Sequence, residues 1–229
     1  MLTRRDFRAN VEGITSLLLP YKGQNIFLLS KKNLSEKIIK KFPEIKTVDI
    51  ERNLPRTLQV TVETYPILVK WEFSLQTKEE PQTPSIPNDR AVKIPNTPIF
   101  LNSLGRVSVT EPEDEGKAFL IQERVKNSPR EMYFGYEVFN ADRLQKVLSA
   151  KDLLAEQISS PVVSAELLRD AQEVHFISEN GVEFWCDFSS PFEEQILKIS
   201  KALREVKLFE MSLEYIDLRV PGKLIYKPK

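Results

Sequence analysis

The chain has very few of the side chains on which most catalytic and metal sites depend. His175 is its single histidine and Cys186 its single cysteine. One cysteine excludes an internal disulfide and a multi-cysteine zinc site, so folding must rest on packing. The sequence therefore offers little for zinc chemistry or for the histidine-dependent pairs of nucleophilic catalysis.

Net charge and long apolar runs are lacking as well. Thirty-three basic residues balance thirty-three acidic ones, so no overall field would attract nucleic acid. No stretch approaches the roughly 20 apolar residues that cross a bilayer, and Thr3–Asn10 is charged and not followed by an apolar leader segment. We therefore expect a soluble chain without a signal or transit peptide.

The first part of the chain changes from a helical to a strand period. Apolar residues recur at spacings of three and four over Thr3–Leu19 and over Leu34–Phe42, which predicts two amphipathic helices, the second ended by Pro43. From Lys46 to Glu63 apolar and polar residues alternate around a short turn, which predicts an antiparallel hairpin with one solvated face. Two helices on the other face would make a small α+β unit.

A proline-containing segment separates this unit from the rest. Five prolines lie between Gln76 and Pro98 among polar neighbours, which predicts a long loop or linker. A β-rich domain with inserted helices is expected after it, with a helix beginning at Asn140. The strand candidates of this stretch are Ile99–Leu101, Ala118–Gln122 and Met132–Val138.

Two hairpins and a helix are predicted near the C-terminus. Asn180-Gly181 between two alternating runs is a strong hairpin signal. Ser190 and Pro191 start an amphipathic helix, because serine caps helices and proline suits their first turn. The last strand pair surrounds a Pro-Gly turn at Val220–Lys223, and its terminal strand is expected to form a sheet edge.

Several segments resemble one family in both order and sequence. Gly23–Phe27 reads G-Q-N-I-F, Phe42–Ile45 reads F-P-E-I, and Arg52–Val62 reads R-N-L-P-R-T-L-Q-V-T-V. These segments resemble the POTRA module, and most closely the POTRA module of the FtsQ/DivIB cell division proteins. Tyr215–Arg219 reads Y-I-D-L-R and is similar to a segment near the end of the same family. The POTRA pattern alone also occurs in outer-membrane barrel assembly proteins.

The resemblance implies an α+β fold in two domains. Residues 1–70 would form a POTRA-type α/β unit, and residues 71–229 a mainly antiparallel β-domain with flanking helices, which includes the loop at residues 76–98. The family carries a cytoplasmic tail, a transmembrane helix and a first POTRA strand before its first helix. We expect all three to be absent from this chain, so the native protein would be anchored by an N-terminal helix that is not present here.

The function implied by the resemblance is that of a non-catalytic scaffold of the divisome. Such a protein lies on the extracytoplasmic face of the cytoplasmic membrane at the septum and links early and late division proteins. Its C-terminal strand edge would bind FtsB/DivIC-like and FtsL-like membrane proteins by β-augmentation. The POTRA unit would contact septal peptidoglycan synthesis proteins. No enzyme activity, cofactor, metal or nucleic acid is implied.

Partner binding by resemblance is assigned to side chains of the C-terminal strand pair. An ion pair with a neighbouring strand also accounts for the charged members of this set, and core packing accounts for its apolar members. His175 falls between two apolar residues, so a surface position on a strand is favoured over a role as base or ligand. The assigned partner-binding residues are Tyr215, Asp217, Arg219, Leu224 and Tyr226.

Three other interpretations belong to different classes. A POTRA-bearing accessory factor in outer-membrane protein assembly or secretion would carry a barrel after its POTRA unit, and the remaining sequence is too short and too helical for one. A hydrolase that uses carboxylates alone would need a pocket with two perturbed acids. The lysines of the second helix, among them Lys31 and Lys32, form a solvated face or a nucleic-acid patch, and balanced overall charge favours the former.

Overall fold

The structure is a computed structural model that describes residues 2–4, 11–55, 57–75, 99–108, 117–125, 132–205 and 212–229. The chain divides into two compact units, Met1–Ile67 with Ser108–Glu111 and Leu68–Val107 with Pro112–Lys229. The proline-containing loop at residues 76–98 lies outside the described residues. Among the helices of the described part, none is long and apolar enough to span a membrane.

The first unit is a small sheet covered by two helices. Its sheet has the order β1-β3-β2, in which β1 runs parallel to β3 and β2 antiparallel to it. A short 3-10 turn at Leu19–Tyr21 follows the first helix. The elements are β1 (Leu2–Arg4), α1 (Val11–Leu18), α2 (Lys31–Lys41), β2 (Ile45–Asn53) and β3 (Thr57–Thr64).

The predicted hairpin and its helical cover are confirmed. Ile50 of β2 lies opposite Val60 of β3, and both side chains are buried. Ile14 of α1 and Ile38 of α2 belong to the same apolar cluster. The apolar side chains of the two strands thus lie on the side of the sheet that faces the helices. This is the arrangement that the change of period predicted.

The start of this unit differs from the sequence prediction. The first strand was expected to be absent, and it is present as β1, with Leu2 opposite Val60 and Arg4 opposite Val62. Thr3 therefore lies in a strand, and the first described helix begins at Val11 instead of near Thr3. A helical pattern was extended too far toward the N-terminus, because a three-residue strand has too few positions to show its own period.

The second unit is built on one eight-stranded sheet. The order of its strands is β11-β10-β9-β8-β7-β6-β4-β5. Two helices lie between strands in sequence, α3 after β6 and α4 after β9. The strands are β4 (Ile67–Leu75), β5 (Ile99–Asn102), β6 (Phe119–Val125), β7 (Val162–Leu168), β8 (Glu173–Ser178), β9 (Glu183–Asp187), β10 (Leu213–Asp217) and β11 (Ile225–Pro228), and the helices are α3 (Ala141–Ile158) and α4 (Phe192–Glu205).

The α+β fold class is confirmed, and the sheet is mixed. Strands β4 and β6, β6 and β7, and β9 and β10 pair in parallel. A parallel neighbour requires a crossover, which α3 supplies between β6 and β7 and α4 between β9 and β10. Both helices bury their apolar sides in one cluster, which contains Leu144 of α3 and Ile196 of α4. Alternate strand residues such as Phe176 belong to the same cluster.

The remaining strand residues point away from the helices. His175 lies between Val174 and Phe176 in β8, and Trp185 lies between Phe184 and Cys186 in β9. All four of these flanking residues belong to the core cluster. Because side chains alternate along a strand, His175 and Trp185 lie on the opposite side of the sheet. We call this side the open face.

Individual element predictions had mixed outcomes. The strands predicted at Ile99 and Ala118 are found as β5 and β6, and Asn140 caps α3 as predicted. The segment Met132–Val138 was predicted as a strand, which is wrong: Gly135 has a φ of +81°, and the Tyr136 N–H donates to the Tyr133 carbonyl to close a turn. Strand β7 was not predicted.

Candidate functional site

The C-terminal hairpin forms the edge of the large sheet, as predicted. Strand β11 pairs antiparallel with β10 and is the outermost strand of the order. Pro221 and Gly222 lie in the turn that joins the strands, the Lys223 N–H donates to the Val220 carbonyl at 3.2 Å, and Gly222 has a φ of +68°. All four residues of β11 are exposed. The outer side of β11 therefore carries backbone groups that no described strand of the sheet pairs.

The five predicted partner-binding residues are divided between the two faces of this hairpin. Tyr226 lies opposite the buried Ile216, on the side of the core, and Leu224 packs against the core cluster. Tyr215 and Asp217 occupy the alternate positions and lie on the open face. The structure brings Tyr215, Asp217 and Arg219 together, and it separates Leu224 and Tyr226 from them.

Three aromatic rings form a stack across the open face. The His175 ring of β8 lies 4.7 Å from the Trp185 ring of β9 with an interplanar angle of 13°. The other side of Trp185 faces the ring of Tyr215 on β10, with centroids 4.0 Å apart and an angle of 9°. The Trp185 N–H donates to Glu183 at 2.8 Å. The stack thus connects the adjacent strands β8, β9 and β10, each of which contributes one ring.

Arg219 connects the same three strands by charge. Its guanidinium donates to both carboxylate oxygens of Asp217, at 2.9 Å and 2.6 Å, and forms an ion pair with Glu173 of β8 at 2.5 Å. It also lies over the Trp185 ring at 5.1 Å. Bidentate arginine–carboxylate pairs of this kind have a defined geometry, so Arg219 holds the end of β10 against β9 and β8.

A lysine of α4 fastens the chain that follows β10. The Lys198 ammonium donates to the backbone carbonyls of Leu218 and Val220, the latter at 2.9 Å. Burial lowers the pKa of Lys198. Lys198 thus binds the turn before β11 to helix α4, and Arg219 binds the same segment to the open face of the sheet.

The loop that carries the G-Q-N-I-F motif has a defined geometry in the first unit. Gly23 has a φ of +87°, which favours glycine. The Asn25 side chain accepts the Phe27 N–H at 3.0 Å, and the Asn25 carbonyl accepts the Leu28 N–H at 3.0 Å. Arg52 of β2 donates to the Leu29 carbonyl at 2.6 Å. Each named residue of the motif therefore has a structural role in the turn.

A comparison with protein families found a match in this unit. The family model described as a POTRA domain of the FtsQ type matches residues 10–65. The first unit is therefore similar to an FtsQ-type POTRA domain. This match supports an FtsQ/DivIB-type protein, as the sequence predicted, and a role related to cell division. No curated protein matches the chain significantly.

The electrostatics of the open face follow from burial and pairing. The hydrogen bond from Arg219 lowers the pKa of Asp217, and the bonds to Asp217 and Glu173 raise the pKa of Arg219. Burial lowers the pKa of His175, although the Glu173 carboxylate 3.2 Å from its Nε2 acts in the opposite direction, so the neutral ring predominates at neutral pH. Burial raises the pKa of Cys186, which keeps its thiol protonated. The arrangement therefore holds the charges of Arg219, Asp217 and Glu173 in fixed positions.

Sequence reasoning placed some of these side chains correctly and missed others. His175 lies on the face opposite the apolar residues as predicted, but it is only 7% exposed, because Trp185 stacks on it. An ion pair of Asp217 and Arg219 with a neighbouring strand was expected; instead the two residues pair with each other, and Arg219 also pairs with Glu173 of β8, which is two strands away from β10. Trp185 and Lys198 were missed. The signal for Trp185 was available, since it alternates with apolar residues in the predicted hairpin.

Proposed function

We propose that this FtsQ-type POTRA protein is a non-catalytic scaffold of the divisome that binds FtsB/DivIC-like and FtsL-like membrane proteins. It would do so on the extracytoplasmic face of the cytoplasmic membrane at the septum, with its native form anchored by an N-terminal helix. The POTRA unit would contact septal peptidoglycan synthesis proteins. The FtsQ-type domain supports protein–protein interactions in division and this location.

The observation that carries the proposal is the exposed terminal strand. Strand β11 is the last strand of an eight-stranded sheet, and its residues are exposed along its whole length. An extended partner segment can add to such an edge by backbone hydrogen bonds, while alternate side chains select the partner. Ile225 and Lys227 would contact side chains of the partner on the open face of the sheet. Tyr226 would contact side chains of the partner on the opposite face.

The network beneath the strand prepares this edge for binding. Arg219 binds the Asp217 carboxylate, and Lys198 binds the carbonyls of Leu218 and Val220, so together they fix the segment that leads into the turn before β11. A strand that is already held in register loses less conformational entropy when a partner is added. In this proposal Asp217 and Arg219 act by positioning the edge, and Tyr226 contacts the partner directly.

The test is co-purification with the extracytoplasmic segments of FtsB/DivIC-like and FtsL-like proteins from the same genome. We expect the intact chain to retain them and a chain without Lys223–Lys229 to lose them. Because Leu224 packs against the core, the deletion must be shown to be folded by circular dichroism. Binding that persists after the deletion would refute the strand-edge site.

A pair of proline variants makes the test sharper without shortening the chain. Successive backbone N–H groups of an edge strand point alternately toward the sheet and away from it. Ile225→Pro and Tyr226→Pro therefore remove one inward and one outward N–H. Loss of the inward N–H breaks a hydrogen bond to β10 and should lower stability, so the variant with unchanged stability is the one that lacks the outward N–H. We expect that variant to bind the partner at least ~10-fold more weakly. Unchanged binding by that variant would exclude β-augmentation at β11.

A further inference from the structure

The FtsQ-type POTRA unit has exposed apolar side chains on the loop between its helices. Phe27 is 62% exposed and Leu28 is 83% exposed. Leu19 before the loop and Leu54 at the tip of the β2–β3 hairpin are also exposed. We call Leu19, Phe27, Leu28 and Leu54 the apolar tip. Clustered exposed apolar residues of this kind mark interaction sites more often than isolated ones do.

The exposure is a property of the loop's hydrogen-bonded turn. Asn25 accepts the N–H groups of both Phe27 and Leu28, one through its side chain and one through its carbonyl. Immediately after, Ser30 caps α2 by accepting the Asn33 N–H at 3.3 Å. The backbone on both sides of Phe27 and Leu28 is therefore fixed, and it presents these side chains outward.

The segment that carries most of the apolar tip is rich in lysine. Residues 19–41 contain six lysines and one acidic residue, in a chain whose overall formal charge is zero. All six lysines are exposed. Charge of one sign is thus concentrated in the segment that carries the exposed Phe27 and Leu28. The partner that complements such a segment is anionic, with an apolar region that accepts the side chains.

Two classes of anionic partner fit this description, and the shape of the site separates them. A groove of about 820 Å³ lies beside the loop, lined by Tyr21, Ile26 and Leu58 among others, and an acidic peptide would occupy it. Leu19 and Phe27 of the apolar tip line that groove as well, whereas Leu28, the most exposed of the four, does not. A bilayer accounts for Leu28, because its interface takes up projecting apolar side chains while lysines contact the anionic headgroups.

We propose that the apolar tip and its lysines form a peripheral contact with the surface of an anionic bilayer. Phe27 and Leu28 enter the interface, and Lys31 and Lys32 contact the headgroups. This contact belongs to the POTRA unit alone and is independent of the strand edge of the second unit. It therefore stands or falls separately from partner binding at β11.

The first experiment is co-sedimentation of the intact chain with vesicles. We expect binding to vesicles of phosphatidylglycerol and phosphatidylcholine at low salt, weaker binding at high salt, and none to phosphatidylcholine alone. Phe27→Ser with Leu28→Ser should reduce binding at least ~10-fold, and so should Lys31→Gln with Lys32→Gln. Val163→Ser is the matched control, since Val163 is an exposed apolar residue of the second unit. Absence of binding, or binding unchanged in the Phe27 and Leu28 variant, would overturn the proposal.

A site-specific label distinguishes a bilayer from a peptide. Cys186 is fully buried, so a cysteine introduced by Leu28→Cys can be labelled selectively with an environment-sensitive dye. We expect its emission to shift to the blue on anionic vesicles, and the same dye at Val163→Cys not to shift. A shift that an acidic amphipathic peptide produces and anionic vesicles do not would assign the surface to a peptide and overturn the proposal.

Discussion

Replacing Arg219 by glutamine tests whether the open-face network stabilises the second unit. The guanidinium has two carboxylate partners, Asp217 and Glu173, and contacts the ring of Trp185. Glutamine keeps much of the length of the side chain and removes its charge. Asp217, whose side chain is 10% exposed, would then keep its negative charge beside Glu173 without a cation between them.

The magnitude follows from these contacts. A hydrogen bond to a charged group contributes about 1.5–3 kcal/mol, and loss of one partner of a buried pair costs about 3–5 kcal/mol. The Arg219 side chain is 26% exposed, so water would compensate part of the loss. We expect the free energy of unfolding to fall by about 2–3 kcal/mol. With a urea dependence of about 2 kcal/mol per molar, the midpoint would fall by about 1–1.5 M.

The effect should depend on pH in a defined direction. Arg219 lowers the pKa of Asp217 in the folded state. A carboxyl group with a lowered folded pKa stabilises the fold above its unfolded value, which is about 3.9, and this contribution is lost as pH falls through the folded pKa. The difference between the intact chain and Arg219→Gln should therefore be largest at neutral pH and become smaller below about pH 4.

Urea unfolding followed by tryptophan emission is the assay. Both tryptophans, Trp71 and Trp185, lie in the second unit, so their signal reports on that unit. Arg124→Gln is the matched control, because Arg124 is more exposed and, among the described residues, pairs with the single carboxylate of Glu166. Its expected cost is below about 1 kcal/mol. Equal costs for the two variants, or no loss at Arg219, would refute the reasoning from burial and partner number.

Two further predictions concern single positions of the second unit. Gly105→Ala should cost more than about 2 kcal/mol in urea unfolding, because its Cβ would lie 1.9 Å from the Phe139 carbonyl oxygen. Gly222→Ala, with a similar φ but open space, should cost only about 1 kcal/mol, and equal losses would show that steric contact is not decisive. Burial lowers the pKa of His175, so stability should decline as pH falls below about 6.5, the unfolded value. His175→Gln should remove that decline between pH 7.5 and 5, and a decline that persists would assign it to another group.

Local signals predicted those elements whose determinants are adjacent in the sequence. Asn180-Gly181 predicted the β8–β9 hairpin, and Ser190-Pro191 predicted the start of α4, because the residues that determine a turn or a helix cap lie within a few positions of it. The parallel pairing of β9 with β10 was not predictable in this way. It depends on the length and direction of the crossover through α4, which alternation in either strand does not encode.

The candidate site shows the same limit. The period of two placed Asp217 and Arg219 on the polar face. Their partner Glu173 precedes Asp217 by more than forty residues and lies two strands away in the sheet, so no local pattern pointed to it. Tyr226 was grouped with Tyr215 because the alternation along the two strands was taken to place both on one docking surface. The register across the turn, which pairs Ile216 with Tyr226, placed them on opposite faces.

The edge position of β11 also bears on how the purified protein behaves. The unpaired edge of a strand is a template for any other strand, including the same strand of a second copy, and such pairing is a common origin of aggregation. Two features of β11 oppose it: Lys227 carries a charge that pairs with Glu214 at 2.6 Å, and Pro228 lacks a backbone N–H. We expect concentrated protein to remain monodisperse, and replacement of Lys227 and Pro228 by valine to promote self-association.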